Sequence, residues 1–312
     1  MVDVTTTSPS HHGAFVRSTS TFRDRVTADG SSGYPAEAGR YHLYVSLACP
    51  WAHRTVIVRQ LKALTDVVSL SIVDPIRDER GWAFTGAPRT DLDALNGFHF
   101  LAEAYVASDA AYPGRVTVPV LWDKETERIV NNESAEIVRM LGTAFDAFTD
   151  VDLGLYPADL AGEIDAVNER VYEGLNNGVY RAGFGRTQAA YDAAVHDVFE
   201  TLDWLDQRLT DRRYLVASHP TEADWRLFTT LVRFDPVYVT HFRCDRRRIV
   251  DYPALSGYLR DLYAVPGVAG TVDFDQIRRH YYLTHHDLNP RGILPIGPVL
   301  DLSAPHGREA LS

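Results

Sequence analysis

The chain has little cysteine and no long apolar run. Only Cys49 and Cys244 occur among its 312 residues, too few for a disulfide-stapled fold, and without a set of nearby histidines and carboxylates they do not predict a zinc site. No apolar stretch approaches the roughly 20 residues that cross a bilayer, and residues 1–40 contain no apolar core flanked by basic residues. We therefore expect a cytoplasmic protein whose two cysteines each need a separate explanation.

Lysine is also scarce, and acidic residues outnumber basic ones. The formal net charge is −11, and Lys62 and Lys124 are the only lysines. Because binding to phosphates or to anionic lipids needs a basic face, this balance argues against nucleic-acid and membrane partners. Hydrophobic residues make up 45% of the chain and charged residues 23%, which is typical of a globular protein, and the length suits two domains.

An α/β pattern begins at Tyr41. Residues 1–40 are rich in Thr, Ser, Gly and His without periodicity, and we interpret them as an extended or poorly ordered lead-in. The stretch "YHLYVSL" alternates as a strand does, "PWAHRTVIVRQLKAL" has helical spacing, and "VVSLSIVDP" is a second strand. Residues 41–75 therefore predict a β-α-β unit with parallel strands.

The same domain continues after a long interruption. Residues 76–115 have the length of an insertion, which in a compact domain is usually functional or mobile. The stretches "VTVPVLWD" and "RIVNNES" then predict an antiparallel hairpin, and "ESAEIVRML" predicts a helix. The order β-α-β, insertion, β-β-α predicts a thioredoxin-like α/β domain over residues 41–145.

The remainder of the chain has a helical pattern. Apolar residues recur at spacings of three and four, which predicts an all-helical domain over residues 155–285. Thr221 followed by Asp224 is a variant of the capping box and predicts the start of a buried helix. Residues 286–312 are rich in proline and glycine and predict a tail that wraps over the surface.

Cys49 lies where the first strand passes into the first helix, and Pro50 suits the first helical position. The backbone N–H groups and the positive dipole end of a helix stabilise an anion, and they lower the pKa of a cysteine from about 8.5 towards 3.5–7.5. Ala52 stands where dithiol oxidoreductases have a second cysteine, so an external thiol must resolve any mixed disulfide on Cys49. The alternative for Cys49 is a small apolar residue packed at a strand end, and for Cys244 we expect the role of a core or surface residue.

Two further motifs accompany this cysteine. Val118–Pro119 opens a hairpin strand, and because proline carries nearly all cis peptide bonds, Pro119 is a candidate for the cis proline that lies beside the reactive cysteine in thioredoxin folds. Glu133 and Ser134 begin the third helix. They are either simple caps or, as in thioredoxin-like transferases, ligands for the γ-glutamyl end of glutathione.

A histidine-rich stretch near the end raises the question of a metal. "HYYLTHH" contains His280, His285 and His286. Their spacing lacks the i, i+4 pair of a helical metal site, and no acidic ligand is fixed nearby. We therefore expect no metal.

Together these motifs resemble one family. The stretches "SLACPWAHRT", "GW" at Gly81–Trp82, "GRVTVPVLWD", "IVNNES", "NNGVYRAGF" and "HYYLTHHDLNPRGI" resemble those of the glutathionyl-hydroquinone reductases, the Xi class of glutathione transferases. The likeness runs from about Gly39 to Gly307. It implies a thioredoxin-like domain followed by an all-α glutathione transferase domain, in a homodimer.

The resemblance also implies an activity. Cys49 attacks the sulfur of a glutathionyl-hydroquinone, which releases hydroquinone and leaves glutathione as a mixed disulfide on the enzyme; a second glutathione then frees the cysteine as glutathione disulfide forms. Phenolic hydroxyls suit the step in which the ring acquires a proton. Carried over by motif, the residues that hold glutathione are Trp82, Arg115, Val118, Glu133 and Ser134. Those that contact the hydroquinone oxygens are Tyr180 and Tyr281, with Tyr282 as the alternative to Tyr281.

Other functions stay open at this point. A general thioltransferase, a conjugating glutathione transferase, and a non-catalytic thiol-peptide binding module or structural dimer are all compatible with a thioredoxin-like domain. The thiol is open too, because a lysine-poor, arginine-rich chain is typical of a GC-rich coding sequence and some such bacteria use mycothiol in place of glutathione. The motifs around Pro119 and Glu133 fit a γ-glutamyl-cysteine peptide better.

Overall fold

The computed structural model describes residues 13–311, so the predicted lead-in over residues 1–40 lies partly outside the described residues. Within them the chain forms two compact units. The first consists of Ser18–Leu153 and Gly270–His285, and the second of residues 13–17, Gly154–Ala269 and residues 286–311. None of the helices described is both long enough and apolar enough to cross a membrane.

The first unit contains a four-stranded sheet with the strand order β2-β1-β3-β4. Strand β1 pairs in parallel with β2 and antiparallel with β3, and β3 pairs antiparallel with β4. This arrangement confirms the predicted β-α-β unit and hairpin. The strands are β1 (Tyr41–Val45), β2 (Ser69–Ile72), β3 (Val120–Asp123) and β4 (Arg128–Asn131).

Two helices pack together in this unit. Helix α1 (Pro50–Leu61) follows β1 and packs against α3 (Ser134–Thr143), which follows β4. Both helices begin at the positions that the sequence predicts: Cys49 is the N-cap residue of α1, and Glu133 is the N-cap residue of α3. Every residue of β1 is buried, because the sheet is covered on both faces.

The insertion over residues 76–115 packs against the sheet. It contains helix α2 (Leu101–Ser108). Its Phe84 ring contacts Tyr44, and its Phe98 ring contacts Trp122. At the outer edge of β2, the Asp91 N–H donates to the Ile72 carbonyl at 2.8 Å, and the Ile72 N–H donates to the Asp91 carboxylate at 2.7 Å. The insertion therefore satisfies an edge strand that would otherwise present unpaired backbone groups.

The part of the lead-in that lies in the first unit, residues 18–40, is anchored to the sheet. Arg23 forms an antiparallel bridge with Asn131 at the end of β4. The Val26 side chain is buried. The segment covers the second edge of the sheet, a pairing over more than a hundred residues that local periodicity does not reveal.

The described part of the second unit contains helices and no strand, which confirms the all-helical prediction. Helix α4 continues through a π-helical turn at Tyr172–Asn176 towards α5, and a second such turn at Phe234–Tyr238 follows α7. The predicted capping box of Thr221 and Asp224 is present at the start of α7. The helices are α4 (Ala161–Val171), α5 (Gly178–Phe184), α6 (Gln188–Arg208), α7 (Glu222–Arg233), α8 (Val239–His241) and α9 (Pro253–Ala264).

The last helix, α10 (Phe274–Thr284), belongs to the first unit, whereas the sequence pattern groups it with the helical domain of residues 155–285. Three contacts tie this segment to the sheet unit. Thr271 Oγ1 hydrogen-bonds His53 Nε2 at 2.8 Å, Arg89 Nε lies 2.8 Å from the Asp273 carboxylate, and His280 Nδ1 donates to the Pro75 carbonyl at 2.6 Å. These partners are distant in sequence, so spacing alone could not assign α10.

The tail beyond His285 has no helix or strand in its described part, residues 286–311. It packs on the second unit through Arg308, whose guanidinium donates to the carbonyls of Leu209 and Arg213 at 3.0 and 3.1 Å.

Candidate active site

Cys49 is the N-cap residue of α1, with extended backbone angles (φ −77°, ψ 122°) and Pro50 at the first helical position. Its side chain is half-buried. The thiol donates to the Val118 carbonyl oxygen, with 3.7 Å between sulfur and oxygen. The Val118–Pro119 peptide is cis, as predicted. A cysteine at a helix N-terminus beside this peptide has the setting in which a thiolate is stabilised.

The next turn of α1 carries two basic side chains with defined partners. His53 is fully buried and hydrogen-bonds Thr271. Arg54 is 2% exposed, its guanidinium lies 4.5 Å from the centre of the Trp51 ring, and its Nη1 approaches Ser134 Oγ at 3.5 Å. Arg54 therefore links the first helix, which follows the cysteine, to the start of α3.

The start of α3 presents a carboxylate and a hydroxyl. Glu133 is the N-cap, and its Oε1 accepts from the Ala135 N–H at 3.2 Å. Its Oε2 accepts from Ser20 Oγ at 3.0 Å. Ser134 is 3% exposed and begins the helix. A helix N-terminus and an oriented carboxylate together suit the zwitterionic end of a peptide.

Trp82 is buried, and its indole stacks on the His280 ring at 5.1 Å between ring centres. The Arg77 guanidinium lies 5.0 Å from the centre of the same indole. Arg115 is half-buried, and its carbonyl accepts from the Tyr112 hydroxyl at 2.9 Å. The insertion thus supplies two of the predicted glutathione contacts and fixes the indole of one of them against α10.

Tyr281 and Tyr282 both lie on α10 in the first unit, the unit that contains Cys49. They are 1% and 4% exposed. The Tyr281 ring contacts His280 and His285 edge to face, at 5.2 and 5.6 Å between ring centres. Both tyrosines are packed, so burial does not separate the two candidates.

No group of three or more His, Cys, Asp or Glu side chains is arranged to hold a metal ion among residues 13–311. Two of the three histidines named above, His280 and His285, take part in packing or hydrogen bonding. His280 donates to a carbonyl and stacks on an indole, and His285 contacts the His280 ring at 5.5 Å.

Tyr180 belongs to the second unit, on α5. Its ring packs with Phe15, Tyr238 and Phe242, and the Arg17 guanidinium lies 4.8 Å from its centre. Such packing accounts for two residues of the surrounding NNGVYRAGF motif, Gly183 and Asn177. A Cβ on Gly183 would lie 2.2 Å from the Phe242 ring, so only glycine lets this ring pack where it does. Asn177 Oδ1 accepts from Arg17 Nε at 3.1 Å.

Cys244 is fully buried, and burial raises the pKa of its thiol to about 12. The thiol faces the Phe242 carbonyl with 3.9 Å between sulfur and oxygen. Cys244 is therefore a core residue, and the two cysteines are chemically different.

The structure brings most of the predicted residues into one unit. Tyr180 is the exception. Two further residues at this site could not be identified as contacts from the sequence, because each acts across a long sequence separation without a local signal: Ser20 and His280. The predicted residues in the first unit are Cys49, Trp82, Arg115, Val118, Glu133, Ser134 and Tyr281.

Comparisons with known families agree with the architecture. The family model for the glutathione S-transferase N-terminal domain matches residues 48–144, and that for the glutathione S-transferase C-terminal domain matches residues 188–261. A sheet unit with a cysteine-capped helix followed by a helical unit therefore defines a glutathione transferase fold.

Similar proteins narrow this class. Glutathionyl-hydroquinone reductase YqjG of Escherichia coli (strain K12) is 54% identical over 304 residues, which cover 95% of this chain and 93% of that protein. Glutathionyl-hydroquinone reductase PcpF of Sphingobium chlorophenolicum is 48% identical over 293 residues, or 94% of this chain and 92% of that protein. The glutathione-bound structure of YqjG from Escherichia coli K-12 has a TM-score of 0.91 and covers 93% of this chain and 96% of that one at 54% identity. The chain belongs to the glutathionyl-hydroquinone reductases, the Xi class of glutathione transferases, and is an enzyme of this kind.

Proposed function

We propose that this enzyme reductively removes glutathione from glutathionyl-hydroquinones and that Cys49 is the nucleophile. The observation that carries the proposal is the placement of Cys49 at the N-cap of α1, with its sulfur 3.7 Å from the Val118 carbonyl oxygen beside the cis Pro119 peptide. The names of YqjG and PcpF support the reaction class. The glutathione-bound structure of YqjG supports glutathione as the thiol.

In the first step, the Cys49 thiolate attacks the thioether sulfur of the substrate. A disulfide bond forms between Cys49 and glutathione while the bond from sulfur to the ring carbon breaks. The electron pair of the broken bond goes to the ring carbon, which takes a proton and leaves as hydroquinone. The helix N-terminus favours the thiolate that this step needs.

In the second step, the thiolate of another glutathione attacks the glutathione sulfur of the mixed disulfide. Cys49 leaves as a thiolate, and glutathione disulfide is released. Because Ala52 replaces the second cysteine of a dithiol motif, no thiol of this motif competes with the incoming glutathione. The sum converts one conjugate and one glutathione into hydroquinone and glutathione disulfide.

The remaining site residues have proposed roles in binding. Glu133 and Ser134 receive the α-amino and carboxylate groups of the γ-glutamyl end, and the rest of glutathione is held by Trp82, Arg115 and Val118. Tyr281, with Tyr282 as the alternative, contacts a hydroquinone oxygen and stabilises the oxyanion or relays a proton. We propose that Tyr180 also contacts a hydroquinone oxygen, and the support for this role is its place in the NNGVYRAGF motif.

The proposal also covers the setting of the reaction. We place the enzyme in the cytoplasm, where thiols are kept reduced, and we expect a homodimer that takes a small-molecule conjugate as substrate and requires no metal. Glutathione and mycothiol are distinguished by the rate at which each regenerates the enzyme from its mixed disulfide. A faster reaction with mycothiol would replace glutathione in the scheme.

The test is Cys49→Ser with Cys244→Ser as the matched control. We expect hydroquinone release from a glutathionyl-hydroquinone, followed by liquid chromatography, to fall at least about a thousandfold in Cys49→Ser and to stay near wild type in Cys244→Ser. Retained activity in Cys49→Ser contradicts the proposal. A wild-type enzyme that prefers a protein mixed disulfide, or that conjugates an aryl chloride faster, would be a thioltransferase or a conjugating transferase instead.

A further inference from the structure

Residues 18–26 run along the start of α3 and are held there by several contacts. The Phe22 N–H donates to Asn132 Oδ1 and the Asn132 N–H donates to the Phe22 carbonyl, both at 3.1 Å. One residue further, the Arg23 guanidinium donates to both carboxylate oxygens of Glu136, at 2.8 and 2.5 Å. These contacts hold the backbone of the segment against Asn132 and against the first turn of α3.

Ser20 lies on the same segment, against the N-cap residue of α3. Its hydroxyl lies 3.0 Å from Glu133 Oε2 and 3.2 Å from the Asn132 carbonyl oxygen. A hydroxyl has one proton, so it donates to one of these acceptors at a time, and a charged carboxylate oxygen is the stronger acceptor.

The two oxygens of the Glu133 carboxylate therefore have separate anchors. The Ala135 N–H donates to Oε1 at 3.2 Å, and the Ser20 hydroxyl donates to Oε2. With both oxygens anchored, the plane of the carboxylate is set. A carboxylate accepts about four hydrogen bonds, so two such anchors leave acceptor positions for an incoming ammonium group.

We infer that Ser20 is a positioning residue that orients the Glu133 carboxylate towards the α-amino group of the thiol peptide, which makes residues 18–26 a part of the glutathione site. The inference rests on the proposed role of Glu133. A carboxylate that is already oriented loses little conformational entropy when it binds an ammonium group. The orientation therefore increases the affinity for glutathione.

The test measures glutathione binding to the full chain by isothermal titration calorimetry. We expect Ser20→Ala to raise the dissociation constant about fivefold, the effect of losing one hydrogen bond to a charged group that acts indirectly. Ser18→Ala, at an exposed serine two residues earlier, is the matched control and should bind as wild type. The rate at which iodoacetamide alkylates Cys49 should be the same in all variants.

Two variants whose new side chains have the same shape separate the effect of the hydroxyl from the effect of packing. Ser20→Thr keeps the hydroxyl and should stay within about twofold of wild type, whereas Ser20→Val should behave like Ser20→Ala. If Ser20→Ala does not fold, this pair alone decides the inference. Equal affinity in the Thr and Val variants overturns it.

A double-mutant cycle tests whether Ser20 acts through Glu133. In a Glu133→Ala background, Ser20→Ala should have no further effect on the dissociation constant. An equal fivefold loss in both backgrounds shows that Ser20 acts elsewhere and overturns the inference while leaving Glu133 in its role. Wild-type affinity in Glu133→Ala itself removes the proposed role of Glu133 and the inference with it.

Discussion

At the scale of single residues, the contrast between Cys49 and Cys244 shows how position decides chemistry. Cys244 is fully buried against the Phe242 carbonyl, and burial raises its pKa to about 12. Cys49 is half-buried at a helix N-terminus. Its adjacent proline made this position predictable, since proline at the first helical position follows from backbone geometry alone.

Ala52 gives the first residue-scale prediction. Ala52→Cys places a thiol one turn along α1 from the nucleophile, in the spacing of a dithiol motif. We expect this thiol to attack the Cys49 sulfur of the mixed disulfide, so that glutathione leaves as a thiol and Cys49 forms an internal disulfide without a second glutathione. With one equivalent of conjugate, intact-mass spectrometry should show an unmodified mass less two hydrogens.

The control is Ala52→Ser, which has nearly the same size and no thiol. It should keep the glutathione adduct after the same single turnover. An adduct that persists equally in Ala52→Cys would show that the two side chains cannot meet, or that glutathione is not attached to Cys49.

Residue pairs that are distant in sequence were not predictable. Trp82 was identified from its motif, but nothing in the sequence places His280 on its indole. The same holds for Ser20 and Glu133, which are separated by 113 residues. Hydrophobic periodicity describes one element at a time, so contacts between elements need the folded chain.

At the scale of elements, helix starts carry the clearest local information. At the start of α7, the Asp224 carboxylate accepts from the Thr221 N–H at 2.8 Å and from the Thr221 hydroxyl at 3.0 Å. The Asp224 carboxylate also accepts from the Tyr258 hydroxyl at 2.7 Å and from the Leu215 N–H at 2.9 Å. This fully buried carboxylate therefore joins α7 to α9 and to the preceding loop.

We predict that Thr221→Ala lowers the free energy of unfolding by about 1 kcal/mol, because the buried Asp224 carboxylate at the start of α7 loses the hydrogen bond from the Thr221 hydroxyl. Urea denaturation followed by circular dichroism measures the change. Thr210→Ala, at an exposed threonine beyond the end of α6, is the control and should change stability by less than about 0.5 kcal/mol. Equal stability of the two variants would mean that the cap contributes nothing.

The sequence predicted most elements, but it could not assign the last helix to a unit. The alternation in β1, the helical spacing in α1 and the hairpin of β3 and β4 are local patterns, and all are confirmed. Helix α10 has a helical pattern like those before it. Its membership in the sheet unit depends on His53, Pro75 and Arg89, which lie about two hundred residues earlier.

At the scale of the whole molecule, buried histidines couple stability to pH. Burial lowers the pKa of His42 to about 3 and that of His241 to about 4, against about 6.5 in an unfolded chain. Between these values the unfolded chain binds more protons than the folded one. The stability that these two buried histidines contribute is therefore fully present above about pH 6.5, and it is lost as the pH falls towards 4 and 3.

His42→Asn should make the stability less dependent on pH. Each buried histidine contributes a slope of up to about 1.4 kcal/mol per pH unit, and we expect the variant to lose one such contribution between about pH 6 and pH 4. Urea denaturation at a series of pH values measures this slope. His196→Asn, at a side chain that is 71% exposed, is the control, and parallel curves for wild type and His42→Asn would contradict the prediction.

The central claim is that Cys49 carries glutathione as a mixed disulfide, and intact-mass spectrometry after a single turnover tests it most directly. Wild-type enzyme mixed with one equivalent of glutathionyl-hydroquinone, without added thiol, should gain the mass of one glutathione while one equivalent of hydroquinone is released. The adduct should map to the peptide that contains Cys49, disappear on addition of glutathione, and be absent in Cys49→Ser. Full release of hydroquinone with no adduct, or an adduct on Cys244, would contradict the account.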